Sequence, residues 1–397
     1  MRNLSRELVA LGHEVEVFSG QPYPKLGTGV RFTPVPSLDL YRDDDPFRIP
    51  ALREFRSGID VLEFATMCTS GFPEPRTFGM RLSRILRDRL NEFDILHDNQ
   101  TLAPGLLNLE ERELPLLTTI HHPISRDRRL ELEAATGWSR ITKRRWYGFV
   151  QMQARVARRS QHILTVSSVS ATDIVADFKV PRERIRVVPI GVDVARFRPP
   201  VTPRVPGRLV TIASADVPLK GLPVLIEALV GLDRSVWSEL IVVGTPSEAT
   251  SKRLVAAGIL DRVSFRSGLS DDELAALIGS AQVHVIPSLY EGFSIPAIEA
   301  MACGIPVVAT RVGALPDLLA GGVGYLVAAG DAAVLRQAIA NLLTSDDERD
   351  RMGAAGRERA ATTYSWGAVA RATADVYAEV NADRTGRTHD YDKESAG

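Results

Sequence analysis

Residues 287–309 of this 397-residue chain read PSLYEGFSIPAIEAMACGIPVVA. The apolar segment that ends at Pro287 is typical of a strand, and a glycine-containing loop follows it. Ser294 is expected to be the N-cap of a helix that begins near Pro296, because serine is favoured before the first turn and proline within it. The stretch therefore predicts a strand, a loop and a helix in that order.

The start of this helix offers main-chain donors to an anion. The free amides of Phe293, Ser294 and Ile295 are expected to point at a diphosphate, since helix N-termini bind such groups. Glu299 falls about one turn into the helix, where its carboxylate is expected to accept hydrogen bonds from ribose hydroxyls. Glu291, on the loop, is expected to accept from hydroxyls of a sugar. An isolated pair of glutamates is more often solvated and without function, so the context of the pair decides.

Strand candidates recur on both sides of the stretch and divide the chain into two doubly wound halves. In the first half, extended apolar segments lie at 94–97, 116–120 and 163–166. In the second half they lie at 209–214, 239–243, 263–266, 283–287 and 307–310. The predicted organisation is a first domain over 1–195, a linker over 196–206, a second domain over 207–364, a closing helix over 365–382 and a disordered tail over 383–397.

Composition excludes several functional classes. The chain has 48 Lys and Arg against 49 Asp and Glu, a net charge of −1, so no global charge directs it to nucleic acid. Its two cysteines, Cys68 and Cys303, are far apart and fit reduced thiols rather than a disulfide framework. No apolar run is long enough to span a bilayer, and no metal-binding pattern is evident. We expect a cytoplasmic protein, with the inner face of the membrane as an alternative location.

The central stretch resembles the E-x7-E signature of the retaining GT-B glycosyltransferases, a family that includes sucrose synthase, glycogen synthase and bacterial mannosyltransferases. The Glu291-Gly292-Phe293 loop matches, as do the residues from Glu299 to Val308. The resemblance implies two Rossmann-like domains facing a cleft, a nucleotide-diphosphate sugar as donor and a hydroxyl group as acceptor. It also implies retention of anomeric configuration, without a metal or another cofactor.

Further segments carry the resemblance over nearly the whole chain. Lys220, followed by Gly221, matches the lysine that stabilises the leaving diphosphate, and Gly244 matches a strand-end glycine near the nucleotide. His121 follows a strand of the first half, and the resemblance implies a hydrogen bond from it to the transferred sugar. The family usually has an arginine where this chain has Ala215, so one phosphate contact is missing or comes from elsewhere.

The beginning of the chain also departs from the family pattern. Family members begin with a strand and a glycine-rich loop, whereas the apolar spacing here predicts a helix directly after Met1. The first strand of the N-terminal domain is therefore expected to be missing from the chain as written. Because such a strand is central in a doubly wound sheet, we expect a longer natural protein and an unstable or inactive fragment without it.

Two alternative functions stay open. The chain could be another enzyme on the same fold, such as an epimerase or a phosphorylase, or a non-catalytic protein that binds sugar nucleotides.

Basic and aromatic residues are mixed between Trp138 and Arg159. They indicate either peripheral contact with an anionic membrane through the Lys143–Trp146 region or, more often for such patterns, an exposed helix with an aromatic core face.

Overall fold

The computed structural model of the chain describes residues 1–112, 114–213 and 218–394. These residues form two compact units. The first unit comprises Met1–Pro189 and the chain from Ala370 onward, and the second comprises Ile190–Val369. The sequence placed the first boundary at 195 and did not predict that the closing helix returns to the first unit. Val376 and Val380 of this helix are buried there. Burial of apolar side chains favours this position, because it removes them from water.

The first unit is built from parallel strands and the helices between them. Its strands are β1 Glu16–Ser19, β2 Arg31–Pro34, β3 Leu96–Asn99, β4 Leu116–Ile120, β5 His162–Thr165 and β6 Ile185–Val187. Its helices before the last are α1 Arg2–Ala10, α2 Gly58–Cys68, α3 Glu74–Leu86, α4 Pro104–Glu110, α5 Ser125–Ala134, α6 Gly137–Trp146, α7 Gly148–Arg159 and α8 Ser168–Phe178. The chain thus opens with a helix, as its apolar spacing predicted.

These strands form two sheets rather than one. Strands β1 and β2 pair with each other, and β3, β4, β5 and β6 form a parallel sheet in that order. No ladder joins the two sheets in the part of the chain that the structure describes. Side chains connect them instead: Phe18 packs against Phe93 with 5.9 Å between ring centroids, and Arg89 pairs with Glu16 at 2.9 Å. Strand β4 is buried along its whole length, as expected for a central parallel strand.

The second unit has one six-stranded parallel sheet, in the order β12-β11-β10-β7-β8-β9. Its strands are β7 Arg208–Ile212, β8 Glu239–Val243, β9 Val263–Arg266, β10 Val283–Ile286, β11 Val307–Thr310 and β12 Gly324–Val327. Its helices are α9 Leu222–Val230, α10 Glu248–Ala256, α11 Asp271–Gly279, α12 Ile295–Ala302, α13 Leu315–Leu318, α14 Ala332–Thr344 and α15 Asp346–Thr363. Each face of the sheet is covered by its own cluster of buried apolar residues.

The last helix, α16 Trp366–Glu394, extends into the segment that was expected to be disordered. Once its first turns are fixed by packing, each added residue gains one backbone hydrogen bond without paying the cost of nucleation again, so a polar sequence can continue the helix. The final three residues, 395–397, lie outside the described residues. No helix in the described part of the chain combines the length and apolar character needed to cross a bilayer.

His284 is a fully buried titratable group in the sheet of the second unit. It lies on β10, with Val210 of β7 and Val307 of β11 as its register partners. Neither ring nitrogen has a hydrogen-bond partner among the described residues. Burial lowers the pKa of His284 from 6.5 to about 4. The folded protein therefore keeps this imidazole neutral.

We predict that His284 makes the free energy of unfolding fall as the pH falls from about 6.5 to about 4. In this window the unfolded chain binds a proton at this imidazole and the folded chain does not, so acid favours the unfolded state. The loss approaches about 1.4 kcal/mol per pH unit. Chemical denaturation at about pH 7 and about pH 5 should show that the wild type loses more stability than His284→Leu. Equal losses in the two proteins would contradict this assignment, because the other histidines are common to both.

Candidate functional site

The predicted donor residues of the second unit meet at one edge of its sheet. Strand β7 lies between β10 and β8. From β7 the chain adds β8 and β9 toward one edge of the sheet, and it then returns to the other side of β7 and adds β10, β11 and β12 toward the opposite edge. In open parallel sheets, ligands bind beyond the carboxyl ends of the strands where this reversal occurs. The loop after β7 leads to Lys220, and the loop after β10 contains Glu291. The topology thus places both residues at the reversal point.

Lys220 and Glu291 form an ion pair although 71 positions separate them in sequence. The Nζ atom of Lys220 lies 3.0 Å from Oε2 of Glu291. The hydroxyl of Ser288 donates to the same carboxylate oxygen at 3.2 Å. The side chain of Lys220 is 34% exposed and that of Glu291 11% exposed. The ammonium group of Lys220 is therefore accessible to solvent, whereas the carboxylate of Glu291 is nearly buried.

Close main-chain contacts fix the loops that carry this pair. Gly221 has a φ of +68°, and a Cβ atom there would lie 1.8 Å from the carbonyl oxygen of Pro287. Gly313 has a φ of +54°, and its Cβ would lie 1.4 Å from the carbonyl oxygen of Glu291. A larger residue at either position would push the loops apart. Leu289 N–H also donates to the Leu219 carbonyl at 2.7 Å.

The start of α12 supplies main-chain donors beside the pair. No acceptor for the amides of Phe293, Ser294 or Ile295 is present in the described part of the chain. Ser294 occupies the N-cap position, as the sequence predicted. Its hydroxyl does not form the expected capping bond: it is fully buried and has no partner among the described residues. Three unpaired amides at a helix N-terminus suit an anion.

Glu299 lies on the second turn of α12 and is half-buried. Its carboxylate receives no hydrogen bond from the described residues. Burial and, secondarily, the negative charge of Asp271 raise the pKa of Glu299 from 4.5 to about 7. A carboxylate that is desolvated and lacks donors gains most from ligand hydroxyls, because they would replace the lost water. This is the environment expected of a group that binds vicinal hydroxyls.

Two glycines of the second unit, Gly244 and Gly292, were also predicted to bind the donor. The amide of Gly244 donates to the Arg266 carbonyl at 2.7 Å, so this donor is already used within the protein. Its position near the nucleotide stays a prediction. Gly292 lies in the loop beside Glu291 and has room for a Cβ atom, so nothing in its packing requires glycine. Ala215, where the family usually has arginine, lies outside the described residues.

In the first unit, His121 follows β4 directly. Its Nε2 lies 2.9 Å from Oδ1 of Asn99, and its main-chain amide donates to Oε1 of Gln100 at 2.7 Å. Burial and the neighbouring His122 lower the pKa of His121, so its imidazole is neutral near pH 7. Asn99 and Gln100 were not predicted from the sequence. The sequence does contain a pattern that could have identified them, because both are polar residues at the carboxyl end of a strand. The strand was expected to end at 97, which left both residues outside it.

His97, the other strand-end histidine of the first unit, has no free ring nitrogen. Its Nδ1 lies 2.7 Å from the Tyr377 hydroxyl and its Nε2 lies 2.6 Å from Oγ1 of Thr119. Burial lowers the pKa of His97 to about 4. His97 therefore acts as a structural residue that links β3, β4 and α16.

The Lys143–Trp146 region packs mainly within the first unit. The Trp146 ring lies 5.1 Å from the Phe72 ring and 5.5 Å from the Tyr41 ring, measured between centroids. Lys143 pairs with Glu131. These contacts match the aromatic core face that the sequence analysis gave as the alternative. Membrane contact through this region stays a prediction.

Comparison with known proteins matches both units of the chain. Glycosyltransferase Family 4 matches residues 1–196, and Glycosyl transferases group 1 matches residues 195–359. An MMP alpha-(1->4)-mannosyltransferase from Mycolicibacterium hassiacum is 52% identical over 382 residues, which are 95% of this chain and 93% of that protein. A phosphatidyl-myo-inositol mannosyltransferase from Mycobacterium leprae is 33% identical over 307 residues, 76% of each protein.

Solved structures show the same fold. The sucrose-phosphate synthase of Thermosynechococcus elongatus has a TM-score of 0.68 at 21% identity and covers 96% of this chain and 92% of its own. HepE of Anabaena in complex with UDP has a TM-score of 0.66 at 16% identity and covers 95% of this chain and 96% of its own. The chain therefore has the GT-B fold, as the resemblance of its central stretch implied.

We predict that Glu299→Ala weakens the binding of a nucleoside diphosphate by about 1 to 3 kcal/mol, the cost of losing hydrogen bonds to a charged group. The wild type should also bind more weakly as the pH falls below about 7, because its raised pKa lets Glu299 take up a proton there. Above that pH the carboxylate is ionised and the affinity should level off. Isothermal titration calorimetry at several pH values measures both effects.

Glu299→Gln serves as the control, because it keeps the shape of the side chain and cannot titrate. Protonation of the ligand's own phosphate affects both proteins equally. The pH dependence that remains after subtracting the variant's curve belongs to Glu299. Identical curves, or unchanged affinity in Glu299→Ala, would remove Glu299 from the nucleotide site.

Proposed function

Since the chain belongs to the glycosyl transferases group 1 family, we propose that it is a retaining α-mannosyltransferase that uses a nucleoside-diphosphate sugar. The observation that carries the proposal is the Lys220–Glu291 pair beside the unpaired amides at the start of α12. The Mycolicibacterium hassiacum relative supports mannose as the transferred sugar and an α-(1→4) linkage as the product. The UDP complex of HepE supports a nucleoside diphosphate as the leaving group.

Different residues of the site suit different parts of the donor, according to their charge and hydrogen-bonding groups. The diphosphate is negative, so it suits Lys220 and the three amides that precede α12. The ribose hydroxyls are donors and suit Glu299, and hydroxyls of the sugar suit Glu291. Each pairing follows from the donors and acceptors that the described residues leave available. The hydrogen bond from His121 of the first unit to the transferred sugar, which the family resemblance implies, stays a separate prediction.

The reaction places its largest charge change on the leaving group. As the glycosidic bond breaks, negative charge grows on the diphosphate and positive charge on the sugar. Lys220 and the amides stabilise the first, and the carboxylate of Glu291 lies near the second. In the proposed front-face route, a phosphate oxygen of the leaving group accepts the proton of the incoming hydroxyl. No covalent enzyme intermediate, metal or further cofactor takes part in this scheme.

The test is transfer by the purified chain. With a nucleoside-diphosphate mannose and an α-linked mannose oligosaccharide as acceptor, we expect a longer oligosaccharide whose new linkage is α, as assigned by NMR. The base of the donor is chosen first by thermal shift, because a ligand stabilises the folded state in proportion to its concentration over its Kd. A β linkage would contradict retention. Release of free sugar without transfer, or an epimerised or phosphorolysed product, would support the other enzyme classes instead.

Lys220→Ala is the matched variant for this assay. Because Lys220 acts on charge that grows in the transition state, its loss should lower kcat by more than it raises KM for the donor. A change in KM alone would limit Lys220 to ground-state binding. Wild-type binding of the donor without any turnover would favour the non-catalytic alternative.

We also propose that α6 contacts a membrane through Trp138 and Ile141, which lie one turn apart on the helix. They are 75% and 51% exposed. Arg140 and Arg144 are also exposed and one turn apart, and neither pairs with an acidic residue in the described part of the chain. A helix with an exposed tryptophan and isoleucine and two unpaired arginines suits a bilayer surface that carries anionic lipid.

We predict that Trp138→Ser lowers co-sedimentation of the protein with anionic lipid vesicles several-fold. The substitution removes an apolar ring that can insert at the level of the lipid headgroups. Val255→Ser is the matched control, since Val255 is an exposed apolar residue of the second unit and should leave sedimentation unchanged. Equal sedimentation of all three proteins, or equal binding to neutral vesicles, would exclude this surface.

A further inference from the structure

The carboxylate of Glu291 is held from one side only. Its Oε2 atom accepts from Lys220 at 3.0 Å and from Ser288 at 3.2 Å. Its Oε1 atom receives no hydrogen bond from the described residues. One oxygen of this nearly buried group is therefore committed to the protein, and the other is available to a ligand.

The two donors to Oε2 differ in how freely they move. Lys220 has a long side chain that is one-third exposed, and its ammonium can turn toward any nearby anion. Ser288 has a short side chain that is only 1% exposed. Its carbonyl oxygen accepts from the Thr310 hydroxyl, and the preceding Pro287 carbonyl lies against Gly221. The Ser288 hydroxyl therefore has a direction fixed by the loop that carries it.

A diphosphate beside Lys220 changes the balance between these donors. The phosphate oxygens compete with Glu291 for the ammonium, so the Lys220–Glu291 contact weakens when a donor binds. Without a second donor, the carboxylate could rotate toward the ammonium or follow it. The Ser288 hydroxyl does not meet the diphosphate in this competition, because its hydrogen bond is buried beneath the pair.

We propose that Ser288 is a positioning residue that keeps the free oxygen of Glu291 directed at the transferred sugar while Lys220 turns to the diphosphate. This proposal rests on the proposed function and deepens it. Ser288 does not touch the substrate; it acts through Glu291. It makes the orientation of Glu291 independent of whether Lys220 is engaged.

The experiment compares Ser288→Ala with the wild type in two measurements. We expect kcat to fall about tenfold, the equivalent of one displaced hydrogen bond at about 1.4 kcal/mol. Affinity for the nucleoside diphosphate without its sugar should stay within about twofold, since Lys220 and the amides are unchanged. The additional affinity that the sugar provides should decrease. Ser288→Thr, which keeps the hydroxyl, should recover most of both losses.

A double-mutant cycle separates positioning from a general effect on folding. If Ser288 acts through Glu291, Ser288→Ala should have little further effect in a Glu291→Ala background. Thr310→Val breaks the neighbouring bond to the Ser288 carbonyl without removing a donor to Glu291, so it reports the cost of loosening the loop alone. Additive effects at Ser288 and Glu291, or a parallel loss of diphosphate affinity, would overturn the positioning role. A wild-type chain that binds no nucleoside-diphosphate sugar would overturn the proposed function and this proposal together.

Discussion

The main-chain packing that holds Lys220 and Glu291 together is the constraint on which the arrangement of the second unit's site depends. Their ion pair joins the loops that leave β7 and β10, which are neighbouring strands on opposite sides of the reversal in chain direction. Contacts of the main chain rather than charge set the geometry of the pair. Gly221 lets the segment before α9 approach the Pro287 carbonyl, and Gly313, which follows β11, lets its segment approach the Glu291 carbonyl, more closely than any side chain would allow. A partly exposed ion pair is weak by itself, so the packed loops hold the charges together rather than the reverse.

The two glutamates of the signature show how the surroundings give one residue type two kinds of behaviour. Glu291 accepts hydrogen bonds from a lysine and a serine, which orient its carboxylate. Glu299 is half-buried and faces the negative charge of Asp271, and these effects raise its pKa to about 7. The first carboxylate is therefore oriented by the protein, while the second depends on a ligand for its hydrogen bonds. Two roles for the two acids were expected from the sequence, but these electrostatic causes were not.

The sequence predicted what depends on local pattern. The strands at 239–243, 263–266 and 307–310 have the predicted bounds. Two of them, 239–243 and 307–310, are buried runs rich in β-branched residues and bounded by turns, which is the pattern of a parallel strand. Ser294 was correctly placed before α12, but its hydroxyl is buried without the expected capping bond. The contact of Ser288 with Glu291 was also missed. Both outcomes depend on the path of a loop, which local propensity does not determine.

Two histidines of the first unit show where local pattern stops being informative. His97 lies on β3 and His121 directly follows the neighbouring β4, so both belong to the same part of the sheet. His97 is distinguished by the Tyr377 hydroxyl, which occupies its Nδ1 from a position 280 residues further along the chain. That contact exists because α16 returns to the first unit, where its apolar residues are buried. His121 has Asn99 at one ring nitrogen, and burial, together with the neighbouring His122, lowers its pKa and keeps the imidazole neutral. The difference between a structural histidine and a candidate ligand-binding one is therefore decided by which distant helix covers the strand end.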